Sequence, residues 1–222
     1  RVYLAVTNQQ ANLLVVDVSE VGNMRLLGTL GGIRPHAIAA RGDHVFLAVE
    51  GDMEPAGLRI VDVSDGNAPV LVGSYTGCDI WQGTAIDVSP DGATAYLGCD
   101  DGVLRILDTR DVTAPVLIGT YSLPEEFNTV ASLVVKGNTA YLGHGFGIDE
   151  IDISDPASPV QSARHATPDQ PNALAISPNG SLLAFAYSSG TFYFTDPSNT
   201  QLRGHGHHAR PPALRDGLTG SR

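Results

Sequence analysis

Apolar residues along this chain fall in short runs separated by clusters of Gly, Pro, Asn, Asp and Ser, the punctuation expected of strands and tight turns. One run, ending in Asp, recurs from end to end. Its copies are Leu14-Val15-Val16-Asp17-Val18-Ser19, Arg59-Ile60-Val61-Asp62-Val63-Ser64, Arg105-Ile106-Leu107-Asp108-Thr109, Glu150-Ile151-Asp152-Ile153-Ser154 and Tyr193-Phe194-Thr195-Asp196-Pro197. The five Asp positions lie 44 to 46 residues apart, so the chain is organised by a repeat.

Each period divides into the same four β segments. A short apolar strand comes first, as in His36-Ala37-Ile38-Ala39 and Thr84-Ala85-Ile86-Asp87-Val88, followed by a turn such as Pro90-Asp91-Gly92. The second strand mixes aromatic and small residues, as in Val45-Phe46-Leu47-Ala48-Val49 and Ala95-Tyr96-Leu97-Gly98, and is expected mid-sheet with both faces buried. The third carries the recurrent Asp. A Pro-containing link leads to the fourth, as in Ala68-Pro69-Val70-Leu71-Val72-Gly73, with proline where an outer strand loses least from a missing N–H. Four strands in a period of this length predict an all-β chain, a β-propeller of four-stranded blades with about five blades present. Because Val2 to Val6 reads as a second strand with no first strand ahead of it, a fragment of a larger ring is expected. The blades are assigned to residues 1–197, and 198–222 to an irregular tail in which Thr200-Gln201-Leu202-Arg203-Gly204 is at most a degraded outer strand.

Gly57-Leu58-Arg59-Ile60-Val61-Asp62-Val63-Ser64 followed by Ala68-Pro69-Val70-Leu71-Val72-Gly73 resembles the LVIVD repeat of bacterial and archaeal surface proteins. Ile86-Asp87-Val88-Ser89-Pro90-Asp91-Gly92 ahead of Ala95-Tyr96-Leu97-Gly98 also resembles the wider group of bacterial YVTN-type propellers. Both resemblances imply a propeller, and the first implies an extracytoplasmic place, periplasmic or at the cell surface. Neither carries a motif that names a reaction. The recurrent Asp is read as structural, its carboxylate accepting backbone N–H groups of the turn that follows, because a residue present in every blade suits architecture better than catalysis.

Composition narrows the partners. The formal charge is −11 and the only lysine is Lys136, which argues against nucleic acid, whose phosphates demand clustered Lys and Arg. No run approaches the roughly 20 apolar residues of a membrane-spanning helix. If Ser89-Pro90-Asp91-Gly92 turns a hairpin, Cys99 returns to the end of the sheet where Cys78 enters. A disulfide is then geometrically possible, and two small buried thiols are the alternative.

Propeller sites gather at the central funnel, lined by loops into the inner strands and by exits from the second strands. The candidate ligand-binding residues are therefore His36, Trp81, Gln82, Asn128 and Asn172, with Arg34 and Thr129 beside them, and Glu50, Asp100, Asp101 and His144. This polar set with one tryptophan suits a protein or carbohydrate partner. No Gly-x-Ser-x-Gly, His-Glu-x-x-His or phosphate-cradling loop is present, and no cofactor is predicted. The expectation is a non-catalytic binding module. The alternative is a propeller enzyme, a metal-assisted lactonase or an oxidoreductase, with His36, His144 and funnel carboxylates as its site.

Overall fold

The computed structural model describes residues 1–6, 12–20, 22–51, 55–78, 83–124, 129–145, 147–196 and 199–207. Among them are five antiparallel sheets and no helix. Blade 1 holds β1 (Val2–Val6), β2 (Asn12–Asp17) and β3 (Arg25–Gly31). Blade 2 holds β4 (Pro35–Arg41), β5 (His44–Val49), β6 (Gly57–Asp62) and β7 (Val70–Thr76). Blade 3 holds β8 (Gly83–Val88), β9 (Thr94–Cys99), β10 (Val103–Asp108) and β11 (Val116–Ser122). Blade 4 holds β12 (Ser132–Lys136), β13 (Thr139–His144), β14 (Gly147–Asp152) and β15 (Val160–Ala166). Blade 5 holds β16 (Ala173–Ile176), β17 (Leu183–Ala186), β18 (Thr191–Asp196) and β19 (Asn199–His207). The strands of every sheet follow in chain order, and among the described residues blade 1 holds three strands, without an inner one.

The last blade is fuller than its sequence suggests. Strand β19 pairs with β18 from Thr191 opposite His207 to Asp196 opposite Asn199, so the blade pattern continues to His207 rather than stopping at residue 197. The open edge of β18 presents backbone N–H and C=O groups that any extended segment can satisfy, whatever its side chains. Residues 208–222 lie outside the described part of the chain.

Blades pack in chain order along their inner edges, β1 on β4, β4 on β8, β8 on β12 and β12 on β16. The second strands of blades 2, 3 and 4 are buried on both faces, as the small-and-aromatic pattern predicts. One face of each blade meets the opposite face of the next: Leu13 and Val15 meet Val45 and Leu47, Leu58 and Ile60 meet Ala95 and Leu97, and Leu104 and Ile106 meet Ala140 and Leu142. Each fully buried aliphatic side chain contributes about 1.5–3 kcal/mol, which makes these seams the core of the molecule.

A bulge in the outer strand recurs at the same place, between Val15 and Val16, Ile60 and Val61, Ile106 and Leu107, and Glu150 and Ile151 of the facing strand. Beside it, Gly73 and Gly119 let the next blade's turn approach. A Cβ on Gly73 would lie 1.9 Å from the Val112 carbonyl oxygen, and one on Gly119 1.9 Å from that of Pro156. The approaching turns are built by the recurrent Asp residues. Asp17 accepts the Ser19 N–H at 3.0 Å, Asp62 that of Ser64 at 2.8 Å, Asp108 that of Arg110 at 3.0 Å and Asp152 that of Ser154 at 2.9 Å. A second Asp continues each of three turns: Asp65 accepts the Asn67 N–H, Asp111 that of Thr113 and Asp155 that of Ala157. The structural reading of the recurrent Asp therefore holds in four blades; the side chain of Asp196 lies outside the described set. These backbone donors hold the carboxyls of Asp17, Asp62 and Asp152 below the usual carboxylate range, and the Arg110 guanidinium holds Asp108 at about 2.

Cys78 and Cys99 form a disulfide, with Cα atoms 5.7 Å apart. It ties the segment after β7 to the end of β9, and so closes the passage from blade 2 to blade 3.

Three outcomes are expected. Gly73→Ala or Gly119→Ala lowers the denaturant midpoint by the equivalent of about 1–3 kcal/mol, because a methyl must displace a backbone carbonyl. Reduction of Cys78–Cys99, or Cys78→Ala with Cys99→Ala, costs about 3 kcal/mol, as loss of a 21-residue closure predicts, read by chemical denaturation with and without reductant. The depressed Asp carboxyls add stability that is complete above the unfolded pKa of about 3.9 and is lost as pH falls toward the folded values. The melting temperature should therefore hold between pH 7 and 5 and drop below about pH 4, and Asp62→Asn should flatten that drop.

Candidate functional site

The first residues of the inner strands do not continue a plain ladder. In β4 the pairing jumps from Pro35 opposite Val49 to Ala37 opposite Ala48, and in β8 from Gly83 opposite Cys99 to Ala85 opposite Gly98. His36 and Thr84 are the residues left over, and a bulge of this kind re-aims a side chain. By register, Ala131 and Asn172 stand at the same place in blades 4 and 5, where their N–H groups bond the Gly143 and Ala186 carbonyls. All four residues line one cavity of about 540 Å³ at the centre of the blades.

Thr129, Ser132 and Gln170 add polar groups to this cavity, and Ile86, Leu133 and Leu174 form apolar wall. Two of the hydroxyls also join blades: Thr84 Oγ1 donates to the Val130 carbonyl, and Ser132 Oγ donates to that of Pro171 at 2.6 Å. The Asn172 carboxamide is held from two sides, its Oδ1 accepting from Gln170 Nε2 at 3.0 Å and its Nδ2 donating to Ser188 Oγ. His36 is solvent-exposed at the rim. Among the described lining residues His36 is the single ionisable one, so the described lining is nearly neutral and offers hydroxyl, amide and imidazole groups. Farther along the inner strands Asp87 accepts the Val135 N–H at 2.9 Å and pairs with Arg41 at 3.2 Å, bracing blades 2, 3 and 4.

The sequence-based candidates separate in space. His36, Thr129 and Asn172 share the funnel. Trp81, Gln82 and Asn128 lie outside the described residues. Glu50 turns instead to Arg34, 3.8 Å away, above a smaller cleft of about 190 Å³ bordered by Leu30, Ile33 and Arg59. Asp100 does not line the funnel, and Asp101 is held by Arg105, with Oδ2 to Nη2 at 2.6 Å and both side chains buried. An exit from a second strand thus leads behind the funnel wall, not into it.

His144 shows why. By register it stands where blade 2 has Val49 and blade 3 has Cys99, facing the seam between blades, and it is fully buried. Its Nε2 donates to Asp149 Oδ1 at 3.2 Å. Arg164 grips the same carboxylate through Nε at 2.6 Å and Nη2 at 2.7 Å, and Tyr121 donates to it at 3.3 Å. Burial alone would raise the Asp149 carboxyl, but the hydrogen bonds from Arg164 and then His144 outweigh it and hold the group at about 2. Burial, then the Asp149 charge, pushes the Tyr121 hydroxyl up to about 12. Asp149 occupies the register position of Arg59 and Arg105, while Arg164 faces it where blades 2 and 3 have Ser74 and Thr120. Blade 4 has therefore moved its cation from the third strand to the fourth and neutralised it with a carboxylate. His36 and His144 do not converge, and among the described residues no three His, Cys, Asp or Glu side chains come together as metal ligands.

Thr84, Ser132 and Gln170 are funnel residues that the sequence reading did not single out. The signal for Thr84 was its alignment with His36 at the head of an inner strand; Ser132 and Gln170 had none.

The fold recurs in solved structures. Kuenenia stuttgartiensis hydrazine synthase is similar at 20% identity over 77% of this chain and 48% of that one, with a TM-score of 0.58. Chaetomium thermophilum Sqt1 is similar at 17% over 89% and 54%, with a TM-score of 0.66, and a protein from Lactobacillus plantarum at 16% over 90% and 65%, with a TM-score of 0.72. The chain thus spans about half to two thirds of the length of these proteins, and the likeness is one of fold. No curated protein matches the sequence. The family profile of the LVIVD repeat matches residues 2–30, 36–77, 82–122 and 129–167, one match in each of the first four blades, and the chain belongs to the LVIVD-repeat family.

Proposed function

We propose that this chain is a non-catalytic binding module whose central funnel takes a protein or carbohydrate partner at the bacterial cell surface. The observation that carries this reading is the funnel of about 540 Å³ whose described lining is polar and nearly neutral, with His36, Thr84 and Asn172 at its bulged or irregular strand starts. Hydroxyl and amide groups beside apolar wall are the chemistry that recognises sugar hydroxyls or peptide amides, whereas a charged ligand would call for opposing charges in the lining. The Cys78–Cys99 disulfide supports an oxidising, extracytoplasmic compartment. Resemblance to surface proteins supports the same address.

The test is binding of the purified chain to immobilised neutral oligosaccharides and to peptide libraries, followed by titration calorimetry of any positive. His36→Ala and Asn172→Ala should each weaken the interaction about tenfold, or about 1.4 kcal/mol, without moving the melting temperature. Binding that is indifferent to both substitutions, or no binding to either library, would overturn the assignment.

A further inference from the structure

The funnel occupies one end of the inner strands, and a second cavity lies at the other. It sits between blades 2 and 3, where β4 turns into β5, β8 turns into β9 and β10 ends, and it holds about 440 Å³. Phe46 and Val112 give it apolar wall, while Arg41, His44 and Arg110 supply two guanidiniums and an imidazole. Asp91 is the one acidic residue among the described lining residues. Its carboxylate faces its own turn, accepting from Ser89 Oγ at 2.6 Å and from the Ala93 N–H at 3.1 Å.

The blade repeat is an internal reference for what this lining needs. The residue opposite the recurrent Asp is Thr94 in blade 3 and Thr139 in blade 4, but His44, opposite Asp62, in blade 2. Two residues beyond the recurrent Asp stand Ser19, Ser64 and Ser154, but Arg110 in blade 3, and all four close the same turn through their backbone N–H. The sheet therefore does not require an imidazole at 44, nor the turn a guanidinium at 110. These two departures from the repeat lie in different blades and fall on the same cavity.

Both guanidiniums are braced without being used up. Arg41 donates from Nη1 to the Ala40 carbonyl at 2.7 Å and from Nη2 to Asp87 at 3.2 Å, and Arg110 donates from Nε and Nη2 to Asp108. Among the described residues nothing accepts from Arg41 Nε or Arg110 Nη1. Guanidinium N–H groups fixed from behind by carboxylates are suited to bind the oxygens of a carboxylate or phosphate.

We propose that this cavity is a second binding site, separate from the funnel, for a small organic anion that carries a carboxylate or phosphate group on an apolar body. Arg41, His44 and Arg110 surround the anionic group, and Phe46 and Val112 flank the apolar part.

The test is titration of the isotope-labelled chain with benzoate, phenyl phosphate and neutral benzyl alcohol, followed through its backbone amide resonances. Binding of at least one anion should move the amides of Gly42, Gly92 and Arg110 and leave those of Thr84 and Asn172 in place, with benzyl alcohol without effect; the tighter of the two anions identifies the group preferred. Arg110→Ser and His44→Thr, which install the residues other blades carry at these positions, should each weaken that binding about tenfold, the loss expected for a hydrogen bond to a charged group, with the melting temperature close to that of the unaltered chain. If either variant fails to fold, the other and the map of shifted amides decide the question. No binding of either anion at millimolar concentration, equal binding of benzyl alcohol, shifts confined to the funnel, or an affinity indifferent to the substitutions would overturn the proposal.

Discussion

Everything in this molecule depends on how closely one sheet can lie on the next. A blade has too little apolar surface to stand alone, and it becomes stable by presenting both faces to neighbours. That contact is made twice over. Near the axis, third-strand aliphatics such as Leu104 and Ile106 press on the second strand of the following blade. At the periphery, a turn held by Asp carboxylates reaches the bulged outer strand at Gly73 and Gly119, where no side chain stands in the way. The repeat's most regular residues, its Asp and its outer-strand Gly, are parts of one joint, seen from opposite blades.

Polar groups follow from the same geometry. A second-strand exit faces the seam, so a polar residue placed there is drawn into the interior and must be fully paired. His144 with Asp149, Arg164 and Tyr121 is the outcome in blade 4, and Asp101 with Arg105 is the outcome in blade 3. A residue at the head of an inner strand has another fate, since only the axis lies ahead of it. His36, Thr84 and Asn172 consequently share one cavity although they lie in three different blades. The division between buried networks and open funnel comes from strand position, with residue type following.

The end blades differ from the inner ones in how much apolar surface they bury. Val2, Leu4, Phe192 and Phe194 are partly exposed, whereas Val45, Leu47, Leu58 and Ile60 at the same register positions of blade 2 are fully buried in a seam. The disulfide fastens the segment after β7 to the end of β9 and so ties blade 2 to blade 3.

From the amino-acid sequence alone come the repeat, the four-strand pattern of the blades and the structural part of the recurrent Asp, since each rests on local pattern and turn chemistry. Fold class and family were legible for the same reason: Gly57 to Gly73 carries both. Tertiary structure decided the rest. It divided the candidate residues between funnel and seam, because a one-residue bulge at His36 or Thr84 changes where a side chain points and leaves no mark on composition. It joined Cys78 to Cys99, which sequence left open, because bonding two cysteines requires only that the hairpin return one to the other. It also extended the last blade to His207, because a strand edge recruits backbone, and backbone is the one feature every sequence shares.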